Sequence, residues 1–134
     1  ALKMAKINAK NNKVDVEFFQ GNILEWKSQN QFFDLIVSNP PYVLKNEQSK
    51  MASNVLDYEP HLALFVDDNT PLIFYKAICK IAFENLHSKG FCFVEINEAL
   101  GSETQLLFEG KDFQKTALKK DTFGKDRMLK TQKK

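Results

Sequence analysis

The chain has 134 residues, 43% of them hydrophobic and 27% charged, which is the size and balance of one small soluble globular domain, 1–134. Its formal net charge of +2 is too small to argue by itself for binding to nucleic acid or to a membrane surface. No apolar run approaches the roughly 20 residues that cross a bilayer, and no secretory leader is apparent, so the expected compartment is the cytoplasm, with no membrane partner. Cys79 and Cys92 lie in apolar runs without metal-ligand spacing, and His61 and His87 stand alone. No metal site is expected, and both thiols read as small buried hydrophobes in a reducing compartment. Twelve phenylalanines against one tryptophan suggest that aromatic bulk fills the core.

Ala1 to Asn11 reads as the end of a helix, with Leu2, Ala5 and Ala9 on one face and Asn11-Asn12 as its stop. It has no cap and no preceding turn, which suggests a truncated chain. Val14 to Phe19 alternates, with Val14, Val16 and Phe18 on one side, and predicts a strand. Gln20-Gly21-Asn22 follows as a turn. Ile23 to Asn30 is polar apart from Ile23, Leu24 and Trp26. Phe32 to Ser38 is an apolar run broken only by Asp34, as expected of a strand buried on both faces of a parallel sheet. Asn39-Pro40-Pro41-Tyr42 ends it, because proline cannot continue a central ladder. Val43 to Thr70 is read as a long irregular stretch of the kind that is functional or disordered.

Thr70-Pro71 has the form of an N-cap and first helical residue. The helix expected over Leu72 to Leu86 carries Phe74, Ile78, Ile81 and Ala82 on one face and stops at Ser88-Lys89-Gly90. Phe91 to Ile96 reads as another buried strand and Ser102 to Glu109 as a short helix closed by Gly110. Phe113 to Leu118 and Arg127 to Thr131 pair as a hairpin across Asp121 to Lys125. The fold class is therefore α/β, a mostly parallel sheet closed by an antiparallel hairpin at the C-terminus. Lys119, Lys120, Lys125, Arg127, Lys130, Lys133 and Lys134 crowd that end. They read as a solvated strand edge, with a basic patch facing RNA or an acidic partner as the alternative.

The chemistry concentrates in Asn39-Pro40-Pro41-Tyr42. In open α/β sheets, ligands bind beyond the carboxyl ends of the strands, and this tetrapeptide sits at such an end. The prolines stiffen the backbone and remove two N–H donors, leaving the Asn39 side-chain oxygen and the Pro40 carbonyl as acceptors beside the Tyr42 ring. That set suits a planar NH2 group, one hydrogen to each oxygen, with the ring against the amide or base plane. An amide nitrogen is a poor nucleophile, and holding both hydrogens aims its lone pair at an electrophile such as a methyl sulfonium. Position and electrostatics suffice, without a strong base or a metal.

Phe33-Asp34-Leu35-Ile36-Val37-Ser38-Asn39-Pro40-Pro41-Tyr42 resembles the strand and catalytic loop of amino-methylating enzymes with the Rossmann-like methyltransferase fold. Tyr58-Glu59-Pro60-His61-Leu62-Ala63-Leu64-Phe65 is similar to the Glu-Pro-x-x-Ala-Leu segment of the HemK/PrmC type, the release-factor glutamine methyltransferases. Phe74-Tyr75, Leu86 through Gly90, Phe93-Val94-Glu95-Ile96 and Asp121 through Arg127 extend the resemblance over nearly the whole chain. It implies S-adenosyl-L-methionine as cofactor and, as partner and substrate, a peptide chain release factor. Asn39, Pro40 and Tyr42, with Pro41 completing the catalytic tetrapeptide, would hold the glutamine amide of its Gly-Gly-Gln loop. Asn39 would also lie near the cofactor's methionine end, and Asn22 and Ile23 match the turn that contacts adenine. The family often has Asp and an aromatic there, so adenine contact is expected to be weaker.

The resemblance also places a glycine-rich cofactor loop and a ribose-binding acid ahead of the matched region, whereas the first glycine here is Gly21 and no Gly-x-Gly occurs. The chain is thus expected to be a C-terminal portion of the catalytic domain. In the family's strand order, 3-2-1-4-5-7-6, the first two strands would be absent and Val14–Phe19 would have no neighbour. An exposed edge, association with another copy, or a longer parent protein would follow. Among smaller features, Glu59 is expected to order its loop by accepting backbone N–H groups and Glu95 to orient its neighbours. Asp67-Asp68 reads as a solvated turn, Asp126-Arg127 as a structural pair or a hairpin-stabilising feature, and Trp26 and Phe65 as packing. The competing functions are methylation of an exocyclic amine on DNA or RNA, which would use the terminal lysines, and a non-catalytic interaction module.

Overall fold

A computed structural model of the chain describes residues 1–27, 30–110 and 112–134, with Lys50 described by its backbone. The strand pattern builds around β4 (Leu86–Glu95), where Leu86, Cys92 and Val94 turn inward and are buried. β4 runs parallel to β1 (Phe33–Ser38) and antiparallel to β6 (Asp126–Lys133), which pairs in turn with β5 (Phe113–Lys120). The order β1-β4-β6-β5 matches the 4-5-7-6 half of the expected sheet. Leu35 lies opposite Phe91 and Ser38 opposite Val94, so the segments leaving β1 and β4 emerge together at one edge.

Helix α4 (Ile73–Asn85) covers the sheet with Tyr75, Ile78, Ala82 and Asn85, a 3-4-3 spacing that puts all four on one buried face. Helix α5 (Gly101–Phe108) adds Thr104 and Phe108. The core is mainly aliphatic, with Tyr75, Phe108 and Phe113 as its aromatics. This corrects the expected aromatic filling. Phe91 and Phe93 alternate with buried Cys92 and Val94 and therefore lie on the outer face, while Phe19, Phe32, Phe33, Phe83 and Phe123 are exposed.

Several boundaries differ from expectation. Helix α1 (Leu2–Asn11) forms as read, but Val14–Phe19 forms no strand. Alternation sets which way side chains face, whereas a strand needs a ladder partner, and none is present among the described residues. The corresponding edge of β1 is open, with Leu35 54% and Val37 70% exposed. Helix α4 starts two residues past Thr70-Pro71, at Ile73, whose N–H donates to the Thr70 carbonyl at 3.1 Å. Ser88-Lys89-Gly90 is an irregularity inside β4, where pairing jumps from Phe33–Leu86 to Leu35–Phe91 and Lys89 takes φ 68°. A Cβ on Gly90 would stand 2.9 Å from the His87 carbonyl oxygen and 3.0 Å from that of Asp34, so only glycine lets the two strands approach there.

The stretch from Val43 to Thr70 is organised. β2 (Val43–Leu44) pairs in parallel with β3 (Phe65–Val66), and between them come a 3-10 turn, helix α2 (Ser53–Tyr58) and helix α3 (His61–Leu64). In the polar stretch after Ile23, Ser28 and Gln29 lie outside the described residues. The C-terminal cations are largely engaged. Lys120 pairs with Asp126 at 2.9 Å and Lys125 with Glu98 at 3.0 Å, Lys130 sits over the Phe91 ring, and Lys133 sits over Phe83 and donates to its carbonyl.

Candidate active site

β1 delivers Asn39-Pro40-Pro41-Tyr42 to the carboxyl edge of the sheet, and the surrounding elements lock that loop through its backbone. The Tyr42 N–H donates to the Leu64 carbonyl at the end of α3, 3.2 Å away. The Tyr42 carbonyl accepts from Asn97 Nδ2 at 3.1 Å. Asn97, only 6% exposed, follows β4. Its amide also donates to Glu47 Oε2 at 2.9 Å, its Oδ1 accepts from the Ala99 N–H at 2.9 Å, and its own N–H donates to the Tyr75 hydroxyl at 3.1 Å. Glu47 Oε2 further accepts from the Leu44 N–H at 2.9 Å. Pro40 and Pro41 have no N–H to satisfy.

Two groups of the loop differ in what they have left to offer. The Tyr42 hydroxyl donates to Glu95 Oε1 at 2.6 Å. Burial, then the Glu95 carboxylate, pushes its pKa up to about 12, against the opposing pull of the Arg127 guanidinium. The Asn39 side chain is exposed and forms no hydrogen bond among the described residues. Asn39, Pro40 and Tyr42 line one cavity of about 470 Å³, together with Val43, Val55, Glu59, Ala63 and Leu64. Asn22 and Ile23 line another, of about 650 Å³, with Pro41, Leu62 and Phe74 among its walls. Pro40 faces the first cavity and Pro41 the second, so the two meet at the proline pair.

The family model described as "Methyltransferase small domain" matches residues 1–61. A release factor glutamine methyltransferase of Flavobacterium psychrophilum is 52% identical over 130 residues, covering 97% of this chain and 46% of that protein. Proteins of the same name from Bacteroides thetaiotaomicron and Lactococcus lactis subsp. lactis are 40% and 38% identical, each over 96% of this chain and 47% of the relative. Over nearly its whole length the chain is similar to these methyltransferases. It spans about half the length of the curated relatives it matches.

Of the residues singled out in the sequence, Asn39, Pro40 and Tyr42 line the first cavity, while Pro41, Asn22 and Ile23 line the second. Asn22 is partly committed: its Oδ1 accepts from the Leu24 N–H at 3.1 Å and its Nδ2 donates to Glu25 at 3.0 Å, which leaves one lone pair on the oxygen. Glu59 does not order its loop through its carboxylate, which forms no hydrogen bond among the described residues and lies exposed beside the first cavity. Asp126 and Arg127 do not pair with each other. Asp126 binds Lys120, and Arg127 Nε meets Asp121 Oδ2 at 3.5 Å, because neighbours on a strand face opposite ways. Asp67 pairs with Lys45 at 2.9 Å and accepts from the Asn69 N–H, and Asp68 accepts from the Asn46 N–H, so this turn ties down the segment after β2. Trp26 is half-buried beside Phe19 and Phe32, and Phe65 packs edge-on against His61.

Sequence reasoning missed the clamp on Tyr42. Asn97, Glu47 and Tyr75 come from three separate elements, and their convergence has no local signature. One clue was legible: Asn97 is a polar residue directly after the buried run Phe91–Ile96, and buried polar groups are held by partners.

Proposed function

We propose that the protein containing this chain transfers a methyl group from S-adenosyl-L-methionine to the side-chain amide nitrogen of glutamine in the Gly-Gly-Gln motif of a peptide chain release factor. This chain would be the C-terminal portion of that catalytic domain. The observation that carries the reading is the Asn39 side chain, without a hydrogen-bond partner among the described residues, in a cavity that Pro40 and Tyr42 also line. The names of these relatives, release factor glutamine methyltransferases, point to the substrate.

The residues present fit the cofactor's base. Ile23, Leu24, Leu62 and Phe74 offer apolar walls to a flat ring, and Asn22 keeps one acceptor lone pair at the rim. When bound, S-adenosyl-L-methionine supplies an electrophilic methyl carbon on a sulfonium. Asn39 Oδ1 and the Pro40 carbonyl each accept one N–H of the glutamine amide, and the Tyr42 ring lies against the amide plane. Both N–H bonds are polarised, so electron density builds on nitrogen as it reacts, and the surplus proton leaves along one of these hydrogen bonds to water. The contribution is orientation and electrostatic stabilisation by groups already in place. Exocyclic-amine methylation of nucleic acid fits the loop equally but finds few unengaged cations near the C-terminus.

The test is incubation of the full-length protein with labelled cofactor and a purified release factor, followed by mass spectrometry of the Gly-Gly-Gln peptide. Label on that glutamine is expected. Label confined to nucleic acid, or none, rejects the assignment.

A further inference from the structure

Glu95 is the last residue of β4, and its carboxylate receives the Tyr42 hydroxyl at 2.6 Å, at the short end of the range for O–H···O hydrogen bonds. β6 runs beside it. Glu95 lies opposite Met128, and the Ile96 N–H donates to the Arg127 carbonyl at 2.9 Å. That register brings Arg127 to the hydroxyl end of the Tyr42 ring, where both side chains line one cavity of about 390 Å³. Arg127 is tied from behind by Asp121, whose Oδ1 also accepts from the Phe123 and Lys125 N–H groups at 2.8 and 3.0 Å. A continuous set of contacts thus joins the β5–β6 turn to the loop after β1.

We infer that Glu95 and Arg127 are positioning residues, which grip the Tyr42 hydroxyl from two sides so that only the ring, and no phenolic proton, is offered to the substrate amide. The inference rests on the proposed function, because that reading gives the ring its task. It assigns Glu95 no proton transfer with substrate. Glu95 Oε1 is filled by the Tyr42 hydroxyl, and rotating it away would free the ring. The clamp also explains why the hairpin turn, far along the chain, bears on the loop at all.

Variants of the full-length protein separate positioning from direct chemistry. Glu95→Ala, Arg127→Ala and Tyr42→Phe should each lower kcat about tenfold or more, since small misplacements of a reacting group are costly. The double variant Glu95→Ala/Tyr42→Phe should be no worse than about twofold below the poorer single one, because both remove the same bond. Glu95→Gln should stay within about threefold of wild type, as its amide oxygen still accepts the hydroxyl. Multiplicative losses in the double variant, or Glu95→Gln as inactive as Glu95→Ala, would overturn the inference. A substrate-free measurement stands beside these. The Tyr42 hydroxyl proton should give a slowly exchanging downfield NMR signal, absent in Tyr42→Phe and Glu95→Ala and present in Glu95→Gln. A signal untouched by Glu95→Ala overturns the clamp. A wild-type protein that leaves glutamine unmethylated while the signals behave as stated removes the proposed function and keeps the clamp.

Discussion

Asn97 is the residue whose replacement most directly tests how the loop is held. Its side chain makes three hydrogen bonds while almost fully buried, to the Tyr42 carbonyl, to Glu47 and to the Ala99 N–H. Each neutral bond contributes on the order of 1 kcal/mol net, and the one to an ionised carboxylate about 1.5–3 kcal/mol. Asn97→Ala should therefore destabilise by about 3.5–5 kcal/mol. Asn97→Asp is more discriminating. It preserves shape and the bond from Ala99, but turns a donor into an anion aimed at the Tyr42 carbonyl and the Glu47 carboxylate. At neutral pH it should be at least as damaging as Asn97→Ala. The introduced carboxyl would have a folded-state pKa above its unfolded value. Its penalty is thus full well above that folded pKa and shrinks as pH falls through it. Urea denaturation of the full-length variants at neutral pH and near pH 4.5 reads this as a midpoint difference that narrows in acid. An Asn97→Asp protein within about 0.5 kcal/mol of wild type at neutral pH would refute the clamp, since surface changes away from such features fall in that range.

Three further outcomes follow from particular contacts. Gly90→Ala forces a Cβ against the carbonyl oxygens of His87 and Asp34, and should lower stability by about 1–3 kcal/mol in the same denaturation assay, as overpacking does. Asn39→Ala removes an exposed side chain with no partner among the described residues, so the thermal midpoint should hold while kcat for glutamine methylation falls about 10²–10³-fold, the scale for losing one stabilising hydrogen-bond partner. The Tyr42 pKa is raised to about 12, so its contribution to stability is complete below the unfolded value near 10 and is lost as pH rises towards 12. Tyr42→Phe should flatten the fall in stability across that interval, as followed by circular dichroism.

The fold was legible where the apolar pattern alone points to the element, although β1, expected to be buried on both faces, is largely exposed because nothing covers its open edge among the described residues. The apolar run into Ser38 and the strand from Phe91 needed no partner to be recognised, and neither did the helix through Ile78 and Ala82. Legibility failed where an element depends on what lies beside it. Val14–Phe19 has the alternation of a strand and no ladder. Ser88-Lys89-Gly90 reads as a helix stop and is instead a kink that β4 absorbs against β1. Val43–Thr70 looks unstructured because β2 and β3 are two residues each and exist only as a pair.

The sequence by itself determined the chemistry on offer: two prolines that strip donors from a strand end, an asparagine oxygen and a tyrosine ring within four residues. It also determined that this unit sits where an α/β sheet presents ligands. Tertiary structure alone decided which of those groups are left for a substrate. It turns the Tyr42 hydroxyl to Glu95 and its carbonyl to Asn97, and leaves the Asn39 amide with no partner among the described residues. The reason is physical: a polar group's availability depends on its partners, and these come from residues more than 50 positions away, brought near only when β1 and β4 pair.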